Sequence, residues 1–225
     1  MHKFWDVHTH RPSKSGVLNI EYGNIESLPN FNYQQMASIS AHPWLCENFC
    51  FDKFYKSFEV LENRPDISLV AIGEVGLDRL KGPSIELQKR YFCQLVDFAN
   101  RIKIPLVLHN VRALDDILSI LKKKSFSSKC LFHDFNGNEI MAQRVIDNGH
   151  YLGIGRSVFR KNSKLFRILD GISLDNVLLE TDDLDINIDD IYKELAEIKG
   201  LSIEELSKKI DQNFCNFFED ANKAR

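Results

Sequence analysis

The chain has 225 residues, of which 44% are hydrophobic and 27% charged, a composition typical of a globular protein with a sizeable apolar core. Its 29 basic and 32 acidic residues give a net charge of −3, which argues against nucleic-acid binding through bulk positive charge. We expect one domain spanning residues 1–225. No apolar stretch approaches the ~18 residues of a membrane span, and an acid follows the first residues too early for a signal peptide, so we expect a cytoplasmic protein with no membrane partner.

Eight short apolar runs of strand length recur along the chain. They are residues 4–8, 17–22, 37–41, 69–74, 105–109, 131–134, 151–154 and 177–181. Most are apolar throughout, as expected for parallel strands that are covered on both faces.

Segments with helical periodicity separate several of these runs. Residues 51–61, 87–102 and 114–121 repeat apolar side chains every three or four positions, which predicts amphipathic helices. Ser202 and Glu205 have the spacing of a capping box and precede a closing apolar stripe that ends at Phe217. Residues 23–35 are polar and turn-rich, so we expect a loop in place of an early helix.

Repeated βα units in a chain of this length predict an α/β fold, a compact (β/α)8 TIM-type barrel from which an early helix has been lost. The alternative is an open, doubly wound parallel sheet. The sequence contains no glycine-rich phosphate loop that would support this alternative.

Polar side chains stand where five of the predicted strands end. His8 and His10 are two positions apart and therefore share a face, while Glu74, His109 and His133 each follow an apolar run. The last strand ends in two acids, Glu180 and Asp182. Because the carboxyl ends of barrel strands meet at one mouth, these groups are expected to converge.

Convergent imidazoles and carboxylates predict a metal centre. An unpartnered desolvated polar group costs ~1–3 kcal/mol, so several of them are unlikely at one place without a ligand. Six ligands exceed the need of one tetrahedral ion, and two divalent metals with a carboxylate between them are the economical arrangement, with hydrolysis as its default chemistry. The metal can be Zn, Mn, Ni or Mg.

The sequence resembles the TatD-like metal-dependent deoxyribonucleases, a branch of the amidohydrolase-type barrels. The likeness rests on the D-x-H-x-H opening at residues 6–10, the His-Pro pair at 42–43, A-I-G-E-V-G-L-D at 71–78, and L-E-T-D at 179–182, together with His109 and His133. The resemblance implies a TIM-type barrel, a divalent-metal centre and hydrolysis of DNA phosphodiester bonds, commonly as a 3'-to-5' exonuclease. DNA, as a single strand or a frayed 3' end, is then the expected partner.

The resemblance also implies roles for individual residues. His8, His10 and Asp182 would hold the first metal, Glu74 would bridge, and His109 and His133 would hold the second metal. Asp182, acting with Glu74, would orient or deprotonate the attacking water. His42 would contact a substrate phosphate, and Asp6 and Glu180 would orient the ligands.

A basic segment, defined as residues 156–167, follows the seventh predicted strand and bears on the substrate. Its five cations are Arg156, Arg160, Lys161, Lys164 and Arg167. We expect Arg156, Arg160 and Lys161 to contact substrate phosphates, with a solvated surface as the alternative. Arg112 is a further candidate contact, although many family members have Arg two residues after the His109 position rather than three.

Trp44 stands where the family often has His; we expect Trp44 and Phe159 to pack in the core, with base stacking as the alternative.

Two other functions stay open at this point. One is a binuclear-metal hydrolase of a small amide, lactone or phosphoester. The basic segment and the lack of a carbamylation lysine ahead of His109 favour DNA instead. The other is a non-catalytic scaffold. A scaffold would have no physical reason to keep six converging polar groups.

Overall fold

The computed structural model describes residues 3–223, with side chains described for residues 3–219. Eight strands form one sheet in chain order, and all neighbouring strands are parallel. The strands are β1 (Asp6–Thr9), β2 (Gly16–Glu21), β3 (Gln35–Ser40), β4 (Ile67–Asp78), β5 (Leu106–Val111), β6 (Cys130–Phe132), β7 (Tyr151–Ile154) and β8 (Val177–Leu179).

The sheet closes between its first and last strands. The backbone N–H of Asp182 donates to the carbonyl of His8 at 3.0 Å, and the N–H of His10 donates to the carbonyl of Asp182 at 3.1 Å. These two bonds flank a parallel bridge between Thr9 and Asp182. The predicted (β/α)8 barrel is therefore confirmed, and the open doubly wound sheet is excluded.

Six helices surround the barrel in the described part of the chain. They are α1 (Phe51–Glu62), α2 (Ile85–Ile102), α3 (Leu114–Lys123), α4 (Glu139–Asp147), α5 (Ile188–Lys199) and α6 (Ile203–Lys223). The helices predicted at residues 51–61, 87–102 and 114–121 are confirmed as α1, α2 and α3. The predicted capping box begins α6, because the N–H of Ser202 donates to Glu205 at 2.9 Å and the N–H of Glu205 donates to the Ser202 hydroxyl at 3.2 Å. Among residues 3–223, no helix has both the length and the apolar character that a bilayer span requires.

Three connections within residues 3–223 contain no α-helix. The link from β1 to β2 is a short turn, and the link from β2 to β3 holds only the 3-10 turn Ile25–Ser27, so the expected loss of an early helix is confirmed. The link from β7 to β8 consists of three 3-10 turns, Arg156–Phe159, Phe166–Ile168 and Leu174–Asn176. The mouth of the barrel is thus bordered by loops at β2 and at β7.

The core fills the barrel and the layer between strands and helices. Val7, Ile39, Ile72 and Leu108, from four different strands, have no exposed surface. Near the two ends of the chain, Trp5 stacks on Phe214 of α6 with ring centroids 3.9 Å apart. This contact fixes the start of β1, and with it the histidines that follow.

Candidate metal centre

All six predicted metal ligands lie at the same mouth of the barrel. His8 and Glu74 belong to strands, and His10 and His133 directly follow strands. A cleft of about 450 Å³ opens at this mouth, and five of the six ligands line it; they are His10, Glu74, His109, His133 and Asp182. His8 lies fully buried at its base.

The first group of ligands joins the two ends of the barrel seam. His8 Nε2 lies 3.6 Å from Asp182 Oδ1, and His10 Nε2 lies 3.5 Å from the same oxygen. Within the described residues, neither ring nitrogen of His8 has a hydrogen-bond partner. Burial lowers the pKa of His8, so its imidazole is neutral and able to coordinate. A buried imidazole with two unpaired nitrogens fits a metal ligand better than a structural side chain.

The second group centres on Glu74. Its Oε1 lies 2.5 Å from His109 Nδ1, 3.2 Å from His42 Nε2 and 2.7 Å from His133 Nε2. Its Oε2 lies 3.8 Å from His8 Nε2, so this carboxylate spans both groups. Burial would raise the pKa of Glu74, but the neighbouring histidines, His133 first, hold it well below its usual range.

The electrostatic field of the site favours cations. Burial acts to lower the pKa of His133, yet Glu74, with smaller contributions from Glu180 and Asp182, raises it to about 10.

Two separate sets of side chains bring ligand atoms within 4.8 Å of one another: His8, His10 and Asp182 form one set, and His42, Glu74 and His109 form the other. Imidazole nitrogens mixed with carboxylate oxygens suit Zn and its neighbours among the divalent metals. The donor set therefore fits divalent cations.

Asp6 and Glu180 hold the backbone beside the candidate ligands. Asp6 accepts the N–H of Thr181 at 2.9 Å and the Thr181 hydroxyl at 2.6 Å, next to Asp182. Glu180 accepts the N–H of Asp134, next to His133. Each acid thus holds the backbone at or next to a candidate ligand.

Arg156 lies inside the site rather than on its rim. Its guanidinium donates to Asp182 Oδ2 at 3.0 Å and to Asp183 at 3.2 Å, and its Nε lies 3.5 Å from Asp134. Arg160 and Lys161 are exposed and lie outside the lining of the cleft, as does Arg112, which follows β5 with φ of 53°. Of the four arginines and lysines predicted to bind substrate, the structure brings only Arg156 to the metal ligands.

Two residues of the site were missed from the sequence. Asp78, at the end of β4, lies 3.2 Å from His109 Nε2 and accepts the indole N–H of Trp44 at 2.7 Å. Asn19, in β2, accepts the backbone N–H of Glu74 at 2.9 Å. The signal for Asp78 was its position four residues after Glu74 in the same strand, which places both carboxylates on one face.

Trp44 and Phe159 are not core residues. Trp44 is 42% exposed and lines the cleft, and Phe159 is 45% exposed beside Arg160. The expectation of core packing is therefore wrong for both. Trp44 lies in the 3-10 turn Pro43–Asn48 that precedes α1, and Phe159 lies in the 3-10 turn Arg156–Phe159 that follows β7. These turns carry both rings outside the apolar layer.

Known proteins similar to this chain share both sequence and fold with it. The Escherichia coli K12 protein named uncharacterized metal-dependent hydrolase YjjV is 30% identical over 67% of this chain, and Deoxyribonuclease Tat-D of Schizosaccharomyces pombe is 32% identical over 67%. These matches span 59% and 52% of the relatives' own lengths. The crystal structure of YjjV, a TatD homologue, aligns with a TM-score of 0.82 at 24% identity, covering 96% of this chain and 98% of that chain.

The family comparison covers most of the chain. The model described as TatD related DNase matches residues 23–219, which include the candidate ligands from Glu74 to Asp182 and leave out the two histidines of the first strand. A hydrolase of the TatD family from Entamoeba histolytica has the same fold, with a TM-score of 0.73 at 17% identity over 90% of this chain and 84% of that chain. The chain belongs to the TatD related DNase family.

Proposed function

We propose that the protein is a divalent-metal-dependent hydrolase of DNA phosphodiester bonds, acting as a 3'-to-5' exonuclease on single-stranded or frayed ends. The observation that carries this proposal is the pair of ligand groups at one mouth, with Glu74 between them and His8 buried without hydrogen bonds. The relative named Deoxyribonuclease Tat-D supports DNA as the substrate.

The ligand groups suggest how two metal ions are divided between them. His8, His10 and Asp182 would hold the first ion, His109 and His133 would hold the second, and Glu74 would contribute to both. His42, which the resemblance assigned to a substrate phosphate, lies close enough to Glu74 and His109 to act as another ligand of the second ion. When bound, two such ions would polarise the phosphoryl group and stabilise the charge of the departing oxygen.

The protein side chains would supply positioning and proton transfer. Asp182 faces the cleft and would take the proton of the attacking water at its carboxylate. Arg156 fixes the orientation of that carboxylate through its contact with Oδ2 and presents further N–H groups to the cleft. Arg160 and Lys161 would attract the strand from outside, since they are exposed on the loop that borders the mouth.

One incubation series tests the proposal. The purified protein is mixed with 5'-labelled single- and double-stranded DNA whose 3' ends are free or blocked, with Mn, Mg, Zn or Ni, and separately with chelator. We expect metal-dependent shortening from free 3' ends, faster on single strands, and none for a Glu74→Gln variant. Absence of cleavage with every metal, or cleavage that chelator does not affect, would overturn the proposal. Internal cuts would overturn its exonuclease part alone.

A further inference from the structure

A second cavity of about 320 Å³ lies beside the metal centre. It sits between the ends of β2 and β3 and the 3-10 turn Ile25–Ser27, where the early helix is missing. It shares His10, His42 and Glu74 with the wall of the metal cleft. The two cavities are therefore neighbours, and a molecule held at the metal centre lies next to this cavity.

Glu21, the last residue of β2, gives this cavity an unused hydrogen-bond acceptor. Its Oε2 accepts from the hydroxyl of Ser40 at 3.1 Å. Its Oε1 is buried and has no hydrogen-bond partner among the residues that the structure describes. A buried carboxylate oxygen without a donor is energetically unfavourable, and an N–H or O–H group of a ligand would remove that cost.

The remaining lining indicates an uncharged ligand group. Asn24 and Ser27 offer neutral polar atoms, and Leu28 offers an apolar surface. Among the described residues that line it, the cavity has no lysine or arginine, so it is poorly suited to a phosphate and better suited to a sugar or a base.

We infer that this cavity, named here the Glu21 pocket, binds the terminal nucleoside of the DNA substrate, with Glu21 accepting a hydrogen bond from a hydroxyl or amino group of that nucleoside. The inference rests on the proposed function, since a phosphodiester at the metals places the adjoining nucleoside at the entrance of the pocket. The donor is either the 3'-hydroxyl of the sugar or the exocyclic amino group of the base, and both present the same chemistry to Glu21.

The test compares DNA ends that differ in one donor. Single-stranded oligonucleotides end in deoxycytidine, in dideoxycytidine, which lacks the hydroxyl, or in the deoxyriboside of 2-pyrimidinone, which lacks the amino group and has no ring N–H. Affinity is measured by fluorescence anisotropy with metal on oligonucleotides whose last linkage is a non-hydrolysable methylene phosphonate, and KM and kcat are measured separately on the cleavable oligonucleotides. The protein variants are Glu21→Ala, Glu21→Gln and the control Glu26→Gln, which removes an exposed acid outside the pocket.

We expect the wild type to bind the deoxycytidine end about ten-fold more tightly than one of the two donor-deficient ends. Glu21→Ala should remove this preference, Glu21→Gln should keep part of it because an amide oxygen still accepts, and Glu26→Gln should keep all of it. A preference confined to the dideoxy comparison assigns the hydroxyl, and one confined to the 2-pyrimidinone comparison assigns the amino group.

Two results would overturn the inference: a wild type that shows neither preference, or a Glu21→Ala variant that retains the wild-type preference. A wild type that shows the binding preference but cleaves DNA with no metal would refute the proposed function and leave the pocket standing. The unfolding midpoint of the Glu21→Gln variant, measured beside that of the wild type, shows whether the variant is folded. We expect it to be no lower than that of the wild type, because the change removes an incompletely paired buried carboxylate.

Discussion

Asp182 connects the metal ligands to the basic segment: one carboxylate oxygen faces His8 and His10, and the other accepts from Arg156. The Asp182→Asn variant keeps an oxygen that can coordinate but loses the ability to accept a proton. We expect it to retain at least one metal ion and to lose turnover by about 10²–10⁴-fold. Metal content by mass spectrometry and single-turnover cleavage check this prediction.

The matched control for this variant is Asp183→Asn. Asp183 is the neighbouring acid, its side chain is 68% exposed, and it also contacts Arg156. We expect nearly normal turnover from the control. Normal turnover by Asp182→Asn would show that another group activates the water.

His150 should make the stability of the protein depend on pH. Burial lowers the pKa of His150 from 6.5 to about 4, so the unfolded chain binds a proton between these values while the folded chain does not. The free energy of unfolding is therefore not reduced by His150 above pH 6.5. It falls by up to about 3 kcal/mol as the pH decreases from 6.5 towards 4. Urea unfolding in chelator at several pH values measures this dependence, and His150→Gln should reduce it. Identical pH profiles of the two proteins would show that His150 has no such role.

The convergence of the six candidate ligands at one mouth could be predicted, because these residues lie at or just after the ends of apolar runs. Asp78 could not be assigned a role in this way, because its partners His109 and Trp44 reach it only through the pairing of β4 with its two neighbouring strands. The same reason applies to Arg156, whose pairing with Asp134, Asp182 and Asp183 depends on three separate loops meeting at the mouth.

The basic segment, residues 156–167, is the element through which DNA should enter. If its side chains contact phosphates, each contact releases counterions, and log affinity for single strands falls with log salt at about −0.7 per contact. Replacing Arg160 and Lys161 with Ala should reduce this slope by about one to two contacts and weaken binding, while cleavage of a small chromogenic phosphodiester stays near the wild-type rate.

The control for the basic segment removes an equal charge elsewhere. Lys122 and Lys123 are exposed in the last turn of α3, at the end of the barrel opposite the mouth. Their replacement by Ala should leave the salt slope of binding unchanged. A slope that neither double variant alters would make the basic segment an ordinary solvated surface, and equal losses on DNA and on the small substrate would indicate a damaged fold.

At the element scale, periodicity predicted the helices whose apolar stripes face the barrel, such as α2 and α6. The connections without helices were harder to read. Residues 23–35 lack any helical period and could be predicted as loop, whereas the link from β7 to β8 is built from three 3-10 turns whose short length leaves no periodic signal.

In the whole molecule, the first group of candidate ligands lies on the seam that closes the barrel. The backbone bonds that close the barrel join His8 and His10 to Asp182, and the side chains of these three residues form the first ligand group. Removing metal with chelator should therefore lower the unfolding midpoint and speed amide hydrogen exchange at His10 and Asp182 more than in α2. Uniform exchange rates with and without metal would indicate that the seam does not depend on the ions.

Anomalous diffraction from crystals loaded with Mn or Zn would show whether this mouth of the barrel holds two divalent ions. Two anomalous peaks about 3.5–4 Å apart are expected, one beside His8, His10 and Asp182 and the other beside Glu74 and His109. A single peak, or peaks located away from this mouth, would contradict the proposed two-metal site.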